Sequence, residues 1–436
     1  MKKLLFLRSV VTFLFFVVVV SCEKPENNEI VPQEVNVTEQ EDVPEDVSEE
    51  VIVESGPLEL TKAQEGFITA DNTFAVNLLS EMNSRYADEG FFFSPISIST
   101  ALSMLLNGTQ GETAKEIIDA IGYGDDIEAV NDYCRQILSK SVSWDPTVIL
   151  STANALVANN NREIKQNFIN TLKSEYLAEV SSFDFSNPSP VLEYINGWCN
   201  EKTHGMIPKI LDDVSSDALL YIMNAIYFKG EWSSKFYEEL TDDGKFTKEN
   251  EEIVDVRMMH KTDSLNYSSL DGMSLLELPY GNGSFALQVL LPETGASSRA
   301  LTSIKETGWN ELFSNLTKDK VKVSIPKFKV EQGSPYDMRS IVNGLGMKSM
   351  FISSSDFVPM TEEPVYVSSI LHKAALTLDE KGSEASATTI VGMETATPGY
   401  APQTPHNVFL ADHPFYYAIV DKVNGLILFM GKYNGK

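Results

Sequence analysis

The chain has 436 residues, 43% of them apolar and 22% charged, a balance that fits a folded protein and excludes both a disordered chain and a multi-span membrane protein. It carries 34 basic against 62 acidic residues, and the resulting net charge of -28 repels phosphate backbones and sets nucleic acid aside as a partner. With 3 cysteines and 5 scattered histidines, it needs no disulfide framework and has little material for a His-rich metal site.

Residues 1–21 read as an export signal. Lys2 and Lys3 form its basic start, and the apolar run Leu4 to Val20, broken by Arg8, is too short for a comfortable membrane span. In Val19-Val20-Ser21-Cys22, small residues precede a cysteine as in a bacterial lipobox, so Cys22 is the expected lipid attachment point; an ordinary secretory signal is the alternative. Residues 22–60 then read as an acidic, disordered tether. Glu and Asp recur every few residues, Pro25, Pro32, Pro44 and Pro57 interrupt, and aromatics are absent, so the segment cannot bury enough surface to fold and repels itself into an extended form. The address that follows is the cell envelope, as a lipid-anchored outer-membrane or cell-surface lipoprotein touching the membrane through its anchor alone, with a secreted form as the alternative.

The folded part is expected over residues 61–436. Phe74, Leu78 and Met82 recur at helical spacing. A sharply bounded helix follows, with Ser94 as N-cap, Pro95 at its first position, Ile98, Leu102 and Leu105 on one face and Gly108 just past its end. Further on, Val321, Val323 and Ile325 alternate with Lys322 and Ser324. The phase then flips at Pro326 to Phe328 and Val330, as a bend or bulge requires. Near the C-terminus, Phe415–Val420 and Leu426–Met430 flank Asn424-Gly425, a buried hairpin signal. Helices dominate the first half and strands the second, without a βαβ rhythm, which predicts a mixed α+β fold with largely antiparallel sheets.

Ile370–Leu378 has the residues of a core strand, yet Glu380 to about Asn407 continues as a connection of over twenty residues containing Gly382, Gly392, Gly399 and several prolines. Connections of that length are uncommon and usually functional or disordered. Its first half has a period of two: Ser383, Ala385, Ala387, Thr389, Val391 and Met393 make one side small or apolar throughout. Such a segment suits a strand that slots into an existing sheet; a flexible small-residue linker is the plainer reading.

From about Thr69 to Asn434 the sequence resembles the serpins. The resemblance rests on FFFSPISISTALSMLLNGTQGETAKEI from Phe91, NAIYFKGEW from Asn224, LELPYGNGSFALQVLLP from Leu276, VSIPKF from Val323, ILHKAALTLDEKGSEASATT from Ile370 and FLADHPF from Phe409, in order and at serpin-like spacing. It implies one serpin-fold domain of three β-sheets and eight to nine helices, with an exposed reactive-centre loop near the C-terminus. It also implies a suicide inhibitor of serine proteases. In that mechanism the target forms an acyl-enzyme with the loop, and the cut loop then inserts into the main sheet.

Glu380, Lys381, Gly382, Ser383, Glu384, Ala385, Ser386, Ala387 and Thr388 match the family's loop hinge. Family spacing places the reactive bond at Ala396-Thr397, which suits an elastase-type pocket. The stretch from Thr397 to Phe409 is longer than usual in the family. That leaves Thr395, Met393 and Tyr400 as other cut sites, and a chymotrypsin-like or papain-like protease as another target.

The resemblance puts Trp232 at the insertion gate, and Ser94 and Ser97 under the sheet where it parts. His372 falls near the start of insertion, either as a pH-sensitive latch or as a satisfied core histidine. Cys134 and Cys199 are read as buried thiols. No cofactor and no metal are expected, and a monomer is the expected working form. A non-inhibitory serpin-fold binding or chaperone protein, its loop merely a substrate, is the alternative; a hydrolase has no local signature in its favour.

Overall fold

The computed structural model describes residues 12–22, 57–140, 145, 147–331, 334–382 and 407–435, with nine α-helices and fifteen strands among them. Helix Phe67–Tyr86 forms on the predicted spacing, with Phe74, Leu78 and Met82 buried. Helix Pro95–Leu106 begins as predicted, the Ser94 hydroxyl accepting from the Ser97 N–H at 3.2 Å.

That helix is not amphipathic, however, since every residue from Pro95 to Leu106 is buried. It runs through the middle of the molecule against strands Thr12–Cys22, Ala218–Gly230 and Leu426–Tyr433. Its serines therefore need partners inside the protein, because a buried hydroxyl has no water to bond.

The strands fall into three groups. The main sheet runs, in spatial order, Glu179–Phe183, Val148–Asn159, Ala218–Gly230, Thr12–Cys22 and Val365–Leu378. Its first pair is parallel and the others are antiparallel. A second group holds Phe91–Phe93, Leu426–Tyr433, Phe415–Asp421, Phe285–Pro292 and Met273–Tyr280; a third holds Asp242–Thr247, Ile253–Leu270, Thr317–Glu331 and Asn407–Leu410. Two long strands weld the groups into one hydrogen-bonded path. Ile253–Leu270 reaches Met273–Tyr280, and Thr317–Glu331 ends against Val365–Leu378 through Phe328–Glu331.

Along Thr317–Glu331 the buried set passes from Val321, Val323 and Ile325 to Phe328 across Pro326, as the pattern predicts. Ser324 is buried where alternation put it outside, and its hydroxyl lies 2.8 Å from His260 Nδ1. The C-terminal hairpin also forms. The Asp421 carboxylate accepts from the N–H groups of Val423 and Asn424, and Gly425 takes a φ of 75°, which favours glycine.

The N-terminus carries a strand that the sequence reading did not include. Thr12–Cys22, read as part of a leader and its anchor, is an eleven-residue strand at the centre of the main sheet. Val17, Val18, Val19 and Val20 are all buried. At the other end of the expected tether, Leu58 N–H donates to Asn424 Oδ1 at 3.1 Å and Glu59 N–H to Gln136 Oε1 at 2.8 Å, so docked chain begins slightly before residue 61. Residues 23–56 lie outside the described residues.

Candidate functional site

At the top of the main sheet the described chain ends in a clasp at Gly382. After Leu378, residues Asp379–Gly382 make a tight turn whose end bridges to Glu231. Gly382 has a φ of 96°, and a side chain there would collide with the backbone of Gly230 to Trp232, so only glycine fits. Backbone groups hold the turn: Trp232 N–H donates to Lys381 O at 3.1 Å and Phe236 N–H to Glu380 O at 2.9 Å. The Trp232 indole Nε1–H donates to Asp379 O at 2.9 Å, and its ring stacks on Tyr280 at 4.5 Å between centroids.

Glu380 supplies the charge of the clasp. Its buried carboxylate accepts from Lys327 Nζ at 2.7 Å and from the Thr241 hydroxyl at 2.9 Å. Burial pushes this carboxyl up, but the Lys327 ammonium and the hydrogen bonds outweigh it and hold the group below its ordinary value. Neighbouring Asp379 goes the other way, raised chiefly by its own burial. Lys261 backs the clasp from beneath, its ammonium 4.6 Å over the Phe236 ring and donating to Ser234 O at 2.8 Å; desolvation pushes it down to about 8.

A second cluster lies lower, beneath the main sheet. Ser94 Oγ donates to Leu428 O at 2.7 Å, and Ser94 N–H donates to His372 Nε2 at 3.3 Å, which places the proton of a neutral ring on Nδ1. Ser97 Oγ donates to Asn224 Oδ1, and Asn224 Nδ2 donates to Asn154 Oδ1 at 2.7 Å. Asn154 in turn donates to Tyr176 O at 2.8 Å. His372 belongs to Val365–Leu378 and Asn224 to Ala218–Gly230. The two serines thus span the floor beneath the division between those strands.

The division itself is the third feature. Val365–Leu378 and Ala218–Gly230 do not pair with each other; Thr12–Cys22 runs between them, antiparallel to both, with Phe16 opposite His372 on one side and Asn224 on the other. Val18 and Val20 join the large core that contains helix Pro95–Leu106, whereas Val17 and Val19 join the cluster formed with helix Pro188–Lys202.

Of the sequence-predicted residues, Ser94, Ser97 and His372 come together. Trp232 sits apart from them, in the clasp with Glu380, Lys381 and Gly382. Ser383, Glu384, Ala385, Ser386, Ala387, Thr388, Met393, Thr395, Ala396, Thr397 and Tyr400 lie outside the described residues, which resume at Asn407 in a short strand parallel to Val321–Ser324. The sequence reading missed Asn224, Asn154, Lys327 and Thr241. Asn224 had a signal, an amide inside the apolar run Leu219–Phe228, where a buried polar group needs partners. Cys134 and Cys199 are buried, and burial pushes the Cys134 thiol up to about 12, far from a nucleophile's range.

A family model described as serpin (serine protease inhibitor) matches residues 69–435. The chain belongs to the serpin family. Among curated relatives, an uncharacterized serpin-like protein of Thermococcus kodakarensis is 32% identical over 369 residues, covering 84% of this chain and 84% of its own. The leukocyte elastase inhibitor of Equus caballus is also 32% identical, over 84% of this chain and 98% of its own. Among solved structures, the thermophilic serpin tengpin in its native state superposes with a TM-score of 0.76 at 25% identity, covering 88% of this chain and 98% of its own. In this serpin the clasp therefore stands directly ahead of residue 383, and the Ser94–Ser97–Asn224–His372 cluster under the main sheet.

Proposed function

We propose that this serpin, with its leader removed, is a suicide inhibitor of serine endopeptidases of elastase type, cut at Ala396-Thr397. The observation that supports this most is the continuity of the clasp. Val365–Leu378 runs into Asp379–Gly382 and from there into the small-residue series from Ser383, so the strand can extend from its own end back into the division beside it.

The chemistry follows from that geometry. A protease serine attacks the Ala396 carbonyl, the amine of Thr397 leaves, and an ester joins protease to loop. Inserting about fifteen residues at roughly 3.3 Å each carries the tethered protease about 50 Å. The added ladder, at about 1 kcal/mol net per bond, supplies on the order of 10 kcal/mol. Displacing one oxyanion-hole donor slows deacylation by about a hundredfold or more, so the ester persists. The small Ala396 side chain suits a narrow primary pocket, and one relative is named a leukocyte elastase inhibitor. The Val19–Cys22 pattern adds a lipid anchor at the cell envelope to this reading.

The test is incubation with pancreatic or neutrophil elastase, followed by denaturing electrophoresis and the intact mass of the released C-terminal peptide. A stable adduct with a peptide starting at Thr397 is expected. A different start moves the bond, and rapid cleavage without adduct across a panel of serine proteases favours the second reading, a binding protein whose loop is only a substrate. The filled division between Val365–Leu378 and Ala218–Gly230 is the one observation on that second side.

A further inference from the structure

The division that a cut loop would need is occupied by the protein's own N-terminus. Strand Thr12–Cys22 pairs on both sides over its length, from Phe13 opposite Ala375 and Tyr227 to Ser21 opposite Tyr366 and Ala218. Ser368 Oγ adds a bond to Val19 O at 3.4 Å. Its four consecutive valines are buried on alternate faces, so from Val17 to Val20 the strand has no solvent side. A backbone paired on both edges accepts no further strand. With Thr12–Cys22 in place the main sheet is complete, and nothing can be added between its flanking strands.

The two candidate occupants are unequal. The loop offers Ser383, Ala385, Ala387 and Thr389 to its inward side, whereas the N-terminal segment offers valine on both faces at its centre. Valine buries more apolar surface than alanine or serine and suits a pleated, doubly covered position better. The loop does not displace this strand by affinity, so the segment has to be removed or pulled out.

We propose that Thr12–Ser21 is a removable plug: in the unprocessed chain it holds the sheet in a completed, non-inhibitory state, and its withdrawal by the export machinery, with cleavage ahead of Cys22, opens the sheet and arms the inhibitor. This rests on the inhibitor reading above and on residues 1–21 being a leader. One group of residues thereby serves two ends, an address before folding and a lock if folding comes first. The lock keeps an unexported copy from trapping proteases within the cell that makes it.

The test uses the full chain, produced without an export pathway, together with two full-length variants, V18D/V20D, which puts charges on one buried face, and Val18→Pro, which removes a ladder donor without adding charge. In the unaltered chain, amide exchange across Thr12–Cys22 should be slowed about a thousandfold or more relative to an unstructured peptide. After cutting at a protease site engineered between residues 30 and 40, the N-terminal fragment should co-elute with the body on gel filtration. Free exchange, or a fragment that separates, overturns the plug.

Elastase should give about tenfold more adduct with either variant than with the unaltered chain, since the competent state is no longer masked. Loop cleavage by a non-target protease should raise the melting temperature of the variants by about 10 °C or more and leave the unaltered chain unchanged. Equal adduct from all three chains overturns the plug while the inhibitor reading stands. A protected segment with neither adduct nor heat-stability gain in any chain overturns the inhibitor reading, and the arming step with it.

Discussion

Glu380 is held from two directions, by the Lys327 ammonium and the Thr241 hydroxyl, while its own carbonyl and that of Lys381 accept from the Phe236 and Trp232 N–H groups and the Asp379 carbonyl accepts from the Trp232 indole. Reversing its charge sets two ammonium groups against each other at a buried site. Glu380→Lys should cost about 2 to 3 kcal/mol, less than a fully buried pair because Lys327 is half exposed, and a denaturant titration measures it. Restoring opposite charge with Lys327→Glu in the same chain should recover part of that loss.

Asp71 is the other informative carboxyl. Burial raises it from 3.8 to about 6 although Tyr123, Tyr133 and Ser99 all donate to it. The folded protein then binds a proton that the unfolded chain releases between those two values. This contribution to stability is complete below pH 4 and is lost as pH rises through 6, an effect of up to about 3 kcal/mol. Asp71→Asn should flatten the stability profile between pH 4 and 6 and raise stability at pH 7, as urea titrations at three pH values would show. Neither carboxyl's partners were visible in the sequence. Lys327 and Thr241 lie 53 and 139 positions from Glu380, and no local pattern joins them.

At the scale of elements, legibility followed locality. The helix Pro95–Leu106 was bounded correctly because its cap, proline and stop signal are neighbours in the chain, and the C-terminal hairpin because its turn is only four residues, 422–425. The full burial of that helix escaped the pattern, since serines at Ser97, Ser99 and Ser103 look like a polar face until their partners are known. The strand Thr12–Cys22 escaped the sequence reading for a related reason. A strand covered on both faces shows no alternation, so Val17–Val20 in a sheet and in a leader spell the same run.

The reactive loop is an element whose role is argued from sequence, and it tests as one. Ser383→Arg would force a charge into the sheet interior on insertion, so elastase should cut this variant fast without forming adduct, a drop of about a hundredfold or more in the adduct-to-cleavage ratio. The same inhibition with arginine at that position would refute the insertion direction assigned to the loop.

For the whole molecule, the family likeness reached the fold and the order of its parts, because it is carried by six long strings spread over the chain. It did not reach the state of the main sheet, which depends on what fills the division. The proposed anchor belongs to the whole molecule as well. Cys22→Ala should move the protein from the membrane to the soluble fraction on cell fractionation, whereas retention in membranes would remove Cys22 as the attachment point.

The central position of Thr12–Cys22 also sets a clock. Its partners at residues 218–228 and 365–375 are made long after it, the last of them about 350 residues later. At a synthesis rate of 5 to 20 residues per second, the segment waits roughly 20 to 70 s before its cradle exists. Export machinery that engages the segment within that window meets an extended, unclaimed peptide; arriving later, it must unpick the middle of a sheet. On the plug reading, slowing translation should therefore raise the exported fraction of this serpin, and delaying export should lower it, with no residue changed.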